Sequence, residues 1–198
     1  MTRREIAVET IKKCGGIAKT KALNEAGLEN YEIARFCEYG YLKRVRHGYY
    51  SLCDMADDAI LSAVLPEGIV CMESALFHYG YANDPGIWKI TLPRSISRSK
   101  LAMDCVIFKP YFAIDKYYTM GRTEERFGGA RLAVYDRERT ICDLFKHRKH
   151  MKPEIFVSAV YAYARDDKKD LDRLYSYAEA MHIRGKVNDV MEVVLNAV

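Results

Sequence analysis

The spacing of apolar residues in the first 52 positions predicts three short helices that lie close together in the chain. The first helix is predicted over residues 2–13, with Thr2 and Glu5 forming a capping box at its start. The second is predicted over Lys21–Ala26 and the third over Tyr31–Tyr39. A glycine follows each of these segments, which is typical of a helix end. The sequence therefore predicts a compact arrangement of short helices joined by tight turns.

The segment Tyr41–Leu52 follows these helices, and its apolar and polar residues alternate as they do in a β-hairpin. His47 and Gly48 are predicted to form the turn, because glycine tolerates the positive φ that tight hairpin turns require. The predicted register pairs Arg46 with Tyr49, Val45 with Tyr50 and Arg44 with Ser51.

Alternation along the hairpin predicts one basic face, with Arg44 and Arg46, and one inner face, with Val45 and Tyr50. Three short helices followed by a hairpin with a basic face are typical of a winged helix-turn-helix domain. In that fold the third helix enters the major groove of DNA.

The distribution of charge also indicates a polyanionic partner for the first part of the chain. Residues 1–52 carry 10 Lys and Arg against 6 Asp and Glu, whereas the remainder carries 21 of each sign. The whole positive excess therefore lies in the predicted DNA-binding domain. The alternative is a solvated face, since charged side chains are normally exposed. The candidate DNA-binding residues are Lys19, Thr20, Lys21, Tyr31, Arg35, Arg44, Arg46, His47 and Tyr49.

These candidates are assigned different roles in DNA binding. Tyr31 and Arg35, near the start of the third helix, are the predicted base-reading residues. Lys19, Thr20 and Lys21 stand where the second helix begins, and are expected to hold phosphates through side chains and free backbone N–H groups.

A larger α+β domain is predicted after this basic domain. The predicted domains are residues 1–52, a linker with a helix at 53–68, and a C-terminal domain at 69–198 that begins with strands and ends with helices. Strands are predicted at Ile69–Met72, Ile87–Leu92, Val106–Lys109 and Arg131–Tyr135. Helices are predicted at Ser74–Tyr79, from Asp136 to Lys146, and at Glu154–Ala164, Lys169–Met181 and Lys186–Leu195.

The chain carries no pattern that indicates catalysis, a cofactor or a membrane span. It has no P-loop, no GxSxG elbow and no HExxH motif, so it is not expected to be an enzyme. Asp143, His147 and His150 share one predicted helical face, but they lie in a basic run without a fuller ligand set, and no metal site is predicted. No apolar run reaches about 18 residues, so no membrane contact and a cytoplasmic location are expected. The six cysteines form no CxxC pair.

Several segments together resemble the AbiEi-type antitoxins of type IV toxin–antitoxin systems, which are associated with abortive infection and phage resistance. They are GGIAKTKAL, GYLKRVRHGYYSL, GIVCMESALFHYG, KITLPR and VYDRERTICDLFKHRK. The resemblance extends over nearly the whole chain. The resemblance implies a winged helix that represses its own operon by binding inverted repeats in the promoter. It also implies a C-terminal domain that counters a nucleotidyltransferase-like AbiEii toxin without forming a stable complex with it. We expect a monomer that pairs on double-stranded DNA.

Two basic segments of the predicted C-terminal domain, together with the helix start after Asp136, form a candidate antitoxin surface. Its residues are Arg94, Arg98, Lys100, Arg137, Arg139, Lys146, Arg148 and Lys149. They could contact an RNA, a nucleotide or an acidic partner, or be solvated loops, and Arg139 can pair with Asp143 within a well-capped helix. Two other functions stay open for the chain. It could be a plain regulator with a ligand-binding or dimerisation domain, or an enzyme acting on a nucleotide or on the toxin.

Overall fold

A computed structural model describes residues 1–197 and confirms the predicted mixture of helices and strands, with two separate sheets. The chain is α+β and divides into two compact units. The first unit consists of Met1–Pro66, Ile96–Ile107 and Gly128–Arg131. The second unit consists of Glu67–Ser95, Phe108–Phe127 and Leu132–Val198, of which the structure describes the residues up to 197.

The first unit contains three helices, a three-stranded antiparallel sheet and a fourth helix. Its elements are α1 (Arg3–Lys13), β1 (Ile17–Lys19), α2 (Thr20–Glu25), α3 (Asn30–Glu38), β2 (Leu42–Arg46), β3 (Tyr49–Leu52) and α4 (Asp57–Val64). The strand order is β1-β3-β2, so the hairpin pairs with a strand that precedes α2. The predicted capping box of Thr2 and Glu5 is confirmed.

The second and third helices each begin one residue earlier than predicted. Lys19 and Glu29 occupy their extended N-cap positions. Glu29 forms a capping box with Glu32, in which each side chain accepts a hydrogen bond from the other residue's backbone N–H. Glutamate is an unusual N-cap, so the sequence pattern favoured the neighbouring asparagine instead.

The helices and the sheet of the first unit share one apolar core. Ile11, Leu23 and Ile33 each come from a different helix and are at most 1% exposed. Leu28 from the turn between α2 and α3 and Leu42 from the hairpin join the same cluster. This burial, rather than the helix propensity of such short segments, holds the helices in place.

Two later segments of the chain pack within the first unit. The backbone N–H of Asp104 donates to the carbonyl of Val45 over 2.8 Å. The buried carboxylate of Asp58 accepts hydrogen bonds from the N–H groups of Gly129 and Ala130, each at 3.0 Å. The predicted linker helix, observed as α4, therefore belongs to this compact unit.

The second unit is built on a mixed five-stranded sheet with the order β6-β5-β4-β8-β7. Its strands are β4 (Ile69–Val70), β5 (Trp88–Pro93), β6 (Phe108–Ala113), β7 (Arg122–Phe127) and β8 (Ala130–Tyr135), and the first two residues of β8 belong to the first unit. Strand β4 runs antiparallel to β5 and parallel to β8, whereas β5 and β6 are parallel.

Several of the strand predictions differ from the structure. The strand predicted at Ile69–Met72 ends at Val70, because a helix begins at Met72. The prediction of a strand at Val106–Lys109 was wrong in its bounds, because Val106 is buried within the first unit and pairing begins at Phe108. Strand β7 was not predicted at all. Its sequence, RTEERF, is polar along most of its length, and it lies at the edge of the sheet, where no apolar face is required.

Helices cover this sheet and form the larger core. They are α5 (Met72–His78), α6 (Asp115–Tyr118), α7 (Arg137–His147), α8 (Pro153–Arg165), α9 (Leu171–Ala180) and α10 (Arg184–Leu195). As predicted, Asp136 caps α7, accepting a hydrogen bond from the N–H of Arg139. Helix α7 is buried from Glu138 to Phe145 and is the central helix of the unit. Tyr163 of α8 lies within this core and is fully buried.

Candidate nucleic-acid interface

Three side chains from three adjacent strands form a basic row across the sheet of the first unit. Lys19 of β1 pairs with Tyr49 of β3, and Tyr49 pairs in turn with Arg46 of β2. The guanidinium carbon of Arg46 lies 4.1 Å from the centre of the Tyr49 ring, and Lys19 Nζ lies 5.7 Å from it. A hydrogen bond from Arg46, together with the charge of Lys19, lowers the pKa of the Tyr49 hydroxyl. We call these residues the cross-strand basic row.

The hairpin turn is fixed to the start of α2. Gly48 has a φ of +75°, as the predicted turn requires, and its carbonyl accepts a hydrogen bond from the N–H of Thr20 over 2.9 Å. The prediction that Thr20 offers a free backbone N–H for a phosphate was therefore wrong. His47 is exposed at the tip of the turn.

The predicted hairpin register is correct at the turn and wrong beyond it. Arg46 pairs with Tyr49 as predicted, but Arg44 pairs with Tyr50 instead of Ser51. A β-bulge between Arg44 and Arg46 leaves Val45 as an extra residue, fully buried. A bulge places two residues of one strand opposite one residue of the other, which shifts every later pair.

The two arginines of the hairpin have different surroundings. Arg44 Nε lies 2.7 Å from a carboxylate oxygen of Asp104, and both side chains are about half exposed. Arg46 has no salt bridge to a carboxylate within residues 1–197, and its Nε is buried without a hydrogen-bond partner. The sequence predicted an equivalent pair of arginines, because nothing in the hairpin itself indicates a partner 60 positions away.

The outer face of α3 displays the side chains predicted to read bases. Tyr31 is 61% exposed. Arg35 is also exposed, and its Nη2 donates to the Tyr39 hydroxyl over 3.1 Å. On α2, Lys21 is exposed and lies 3.8 Å from Glu25, which partly neutralises it. The surface of the first unit thus combines aromatic rings with guanidinium groups.

One further aromatic and cationic contact was not predicted. The guanidinium carbon of Arg4 lies 4.0 Å from the centre of the exposed Tyr41 ring. The rings of Tyr39 and Tyr41 are 6.2 Å apart at their centroids. Nothing near Tyr41 in the sequence indicates this contact, because Arg4 lies 37 positions away in α1.

The candidate antitoxin residues do not share one environment. Arg94 is exposed directly after β5 in the second unit, whereas Arg98 and Lys100 lie in a 3-10 turn of the first unit. Arg137 forms a salt bridge with Asp166 at 3.0 Å. Exposed positions at the end of α7 and in the turn after it hold Lys146, Arg148 and Lys149.

Arg139 was expected on an exposed surface, and that expectation was wrong. Its side chain is 4% exposed and pairs with Asp143 at 3.1 Å, as the i, i+4 spacing predicted. It also donates hydrogen bonds to the carbonyls of Tyr117 and Met120. Arg139 therefore fixes the segment before β7 against α7.

The described residues hold neither a cluster of metal ligands nor a membrane-spanning helix. No group of three or more His, Cys, Asp or Glu residues within 1–197 is arranged to hold a metal ion. None of the helices in that range combines the length and the apolar character needed to cross a membrane.

No protein-family model matches this chain, and no curated protein matches it. Among solved structures, the chain is similar to the crystal structure of the RV2827C protein from Mycobacterium tuberculosis. The TM-score is 0.60 with 15% sequence identity, over 90% of this chain and 72% of that one. At this identity the likeness shows a shared fold alone.

Proposed function

We propose that the first unit is a winged-helix unit that binds double-stranded DNA. The order of α1, β1, α2, α3 and a hairpin, with a three-stranded antiparallel sheet, supports this assignment. In this assignment α3 enters the major groove and the hairpin from Leu42 to Leu52 is the wing.

The cross-strand basic row is the observation that carries the proposal. Among the described residues, neither Lys19 nor Arg46 is neutralised by a carboxylate, whereas Lys21 and Arg44 are. Stacking on Tyr49 restricts the Arg46 guanidinium, so less conformational entropy is lost when it meets a phosphate. Lys19 and Arg46 are therefore the proposed phosphate contacts of the wing.

The exposed face of α3 supplies the proposed sequence-reading residues. A guanidinium group recognises guanine by donating two hydrogen bonds, to O6 and N7. Arg35 is exposed on α3 and is the proposed donor of these bonds. Tyr31 is exposed one helical turn earlier and offers apolar contact with a thymine methyl group.

We also propose that the chain is an antitoxin that represses its own operon and counters an AbiEii-type nucleotidyltransferase toxin. The sequence segments shared with AbiEi-type antitoxins support this. The exposure of Arg94, Lys146, Arg148 and Lys149 agrees with a basic contact surface in the second unit. In this proposal the chain is a cytoplasmic monomer that pairs on the promoter repeats and forms no stable complex with the toxin.

DNA binding is tested by fluorescence anisotropy with a labelled duplex from the chain's own promoter and a duplex of random sequence. The double variant Lys19→Ala, Arg46→Ala should weaken binding to both duplexes, because phosphate contacts carry no sequence information. Arg35→Ala should weaken binding to the promoter duplex only. Lys186→Ala, on α10 of the second unit, is the matched control. Unchanged binding by the double variant would exclude the wing assignment.

Antitoxin activity is tested by growth rescue in cells that also express an AbiEii-type toxin. Charge reversal at Arg94, Arg98 and Lys100 should weaken the rescue, whereas Lys186→Glu should leave it intact. Full rescue by the charge-reversed chain would remove these residues from the antitoxin surface. Absence of rescue by the wild-type chain would contradict the antitoxin function itself.

A further inference from the structure

A cavity of about 310 Å³ lies within the second unit, between the sheet and α7. We call it the α7 cavity. One wall is formed by the ends of β5 and β6, two parallel strands whose register pairs Pro93 with Ala113. The carboxyl ends of parallel strands are a common place for ligands, because the chain leaves the sheet there and opens a crevice.

The strand wall of the α7 cavity carries aromatic rings and one cation. Thr91 and Tyr111 are direct cross-strand partners and both line the cavity. Arg94 follows β5 at once and is exposed at the same edge. Tyr117, from α6, adds a second phenol ring. A planar ligand would therefore meet two tyrosine rings beside a guanidinium group.

The opposite wall is one face of α7. Arg139, Asp143, Lys146 and His147 follow a spacing of i, i+4, i+7 and i+8, which places them in one stripe of the helix. The sequence pattern placed Asp143 and His147 on one helical face, as residues that a metal site would use. In the structure Asp143 instead forms a salt bridge with Arg139 at 3.1 Å.

The charges that line the α7 cavity leave a positive excess. Arg139 and Asp143 neutralise each other in a buried pair. Within residues 1–197, Arg94 and Lys146 form no salt bridge, and Lys146 Nζ lies 4.9 Å from the centre of the Tyr117 ring. Burial lowers the pKa of His147, which favours the neutral imidazole, with one nitrogen as a hydrogen-bond donor and the other as an acceptor.

The backbone at the cavity is held in an uncommon conformation. Met72, which lines the cavity, has a φ of 49°, in the left-handed region that non-glycine residues seldom adopt. Such strained conformations are concentrated at active sites and ligand sites. This strain is independent of the charge distribution.

From these observations we propose that the α7 cavity binds a small phosphorylated molecule with a planar ring, of the size of a nucleoside monophosphate. Arg94 and Lys146 contact the phosphate, and the ring packs against Tyr111 and Tyr117. The cavity volume lies at the lower end of the range of about 300–1,000 Å³ for small-molecule sites, which favours a single nucleotide over a longer chain. The proposal does not depend on whether the first unit binds DNA.

Isothermal titration calorimetry of the full chain at low salt tests the proposal, with the four nucleoside monophosphates, the matching nucleosides and inorganic phosphate as ligands. At least one monophosphate should bind more tightly than both its nucleoside and inorganic phosphate. Arg94→Gln and Lys146→Gln should each weaken it by about tenfold, the effect of one charge-assisted hydrogen bond.

Two control variants separate this site from other basic surfaces of the chain. Lys149→Gln changes an exposed lysine of the turn after α7 that does not line the cavity, and should leave the affinity unchanged. Arg46→Gln removes the proposed wing cation and should also leave it unchanged. Circular dichroism verifies that each variant is folded.

Three outcomes would overturn the proposal. The first is that no monophosphate binds, and the second is that inorganic phosphate binds as tightly as the nucleotide. The third is that Arg46→Gln loses nucleotide affinity while Arg94→Gln keeps it. The last result would place nucleotide binding in the first unit. If the wild-type chain binds a nucleotide but does not bind DNA, the proposed DNA-binding function is contradicted and the nucleotide site is not.

Discussion

Replacing Arg46 by glutamine is expected to weaken DNA binding more than the same change at Arg44. The reason is the carboxylate of Asp104, which lies 2.7 Å from Arg44 Nε. To contact a phosphate, Arg44 must give up this pair, and the carboxylate then repels the DNA. Arg46 is instead supported by the Tyr49 ring at 4.1 Å.

The expected size of the difference follows from the two environments. Loss of one charge-assisted contact by Arg46→Gln costs about 1.4 kcal/mol or more, a tenfold loss of affinity. Log affinity falls with log salt concentration, and each phosphate contact makes this slope steeper by about 0.9. For each such contact, a fourfold rise in salt concentration therefore weakens DNA binding by a factor of about 3.5. A contact by Arg44 must first break its pair with Asp104, and an exposed pair is worth about 0.2–1 kcal/mol, so Arg44→Gln should weaken binding less, by about two- to eightfold.

Fluorescence anisotropy on a duplex of random sequence, repeated over a series of salt concentrations, measures both quantities. Arg46→Gln should reduce the steepness of the salt dependence by about 0.9, and Arg44→Gln should reduce it by less. Asp104→Asn is the matched third variant, since it releases Arg44 and should increase the slope. Urea unfolding checks stability, because Arg46→Gln also removes a stacking contact worth about 0.5–1 kcal/mol.

Two results would refute this distinction between the arginines. One is an equal loss of affinity in Arg44→Gln and Arg46→Gln, and the other is no gain in affinity for Asp104→Asn. Either would show that the salt bridge with Asp104 does not restrain Arg44 in solution.

Three further predictions concern the stability of the second unit, measured by urea unfolding. Gly121→Ala should destabilise by about 2–4 kcal/mol, because its φ is +70° and a Cβ would lie 2.6 Å from that of Arg139, whereas Gly185→Ala on α10, with nothing nearby, should be neutral or stabilising. Arg139→Leu should cost about 3–5 kcal/mol by leaving Asp143 buried without its partner; a cost near zero would contradict the pair. Burial alone would raise the pKa of Asp166, but the hydrogen bonds that its carboxylate accepts lower it. Asp166→Asn should therefore lose about 1–2 kcal/mol at pH 7, with the difference from wild type shrinking as the pH falls below about 4, and a difference independent of pH would be the opposite result.

Local patterns in the sequence were sufficient for most helices and for the hairpin turn. The capping box at Thr2 and the N-cap at Asp136 were both found from sequence, because caps depend on side chains within three or four positions. The pair of Arg139 and Asp143 was found for the same reason. The polar edge strand β7 was not, since it lacks the alternation on which strand prediction depends.

The role of each basic side chain could not be decided from neighbouring residues. Arg44 and Arg46 are equivalent in the alternating pattern, and only the packing of the segment at Asp104 against the hairpin distinguishes them. Arginine is normally a surface residue, but Arg139 is buried. This is possible because Asp143 and two carbonyl groups accept hydrogen bonds from its guanidinium group. Charge in the sequence therefore located the basic segments without showing which of their cations are available.

The sequence by itself determined the α+β class, most of the helices and the concentration of positive charge in the first 52 residues. These properties depend on periodicity, capping and composition, which act over a few positions. The tertiary structure decided the cross-strand basic row, the bulge at Val45 and the α7 cavity. Each of these brings together side chains from strands and helices that are distant in sequence, and such pairings are set by the packing of the whole unit.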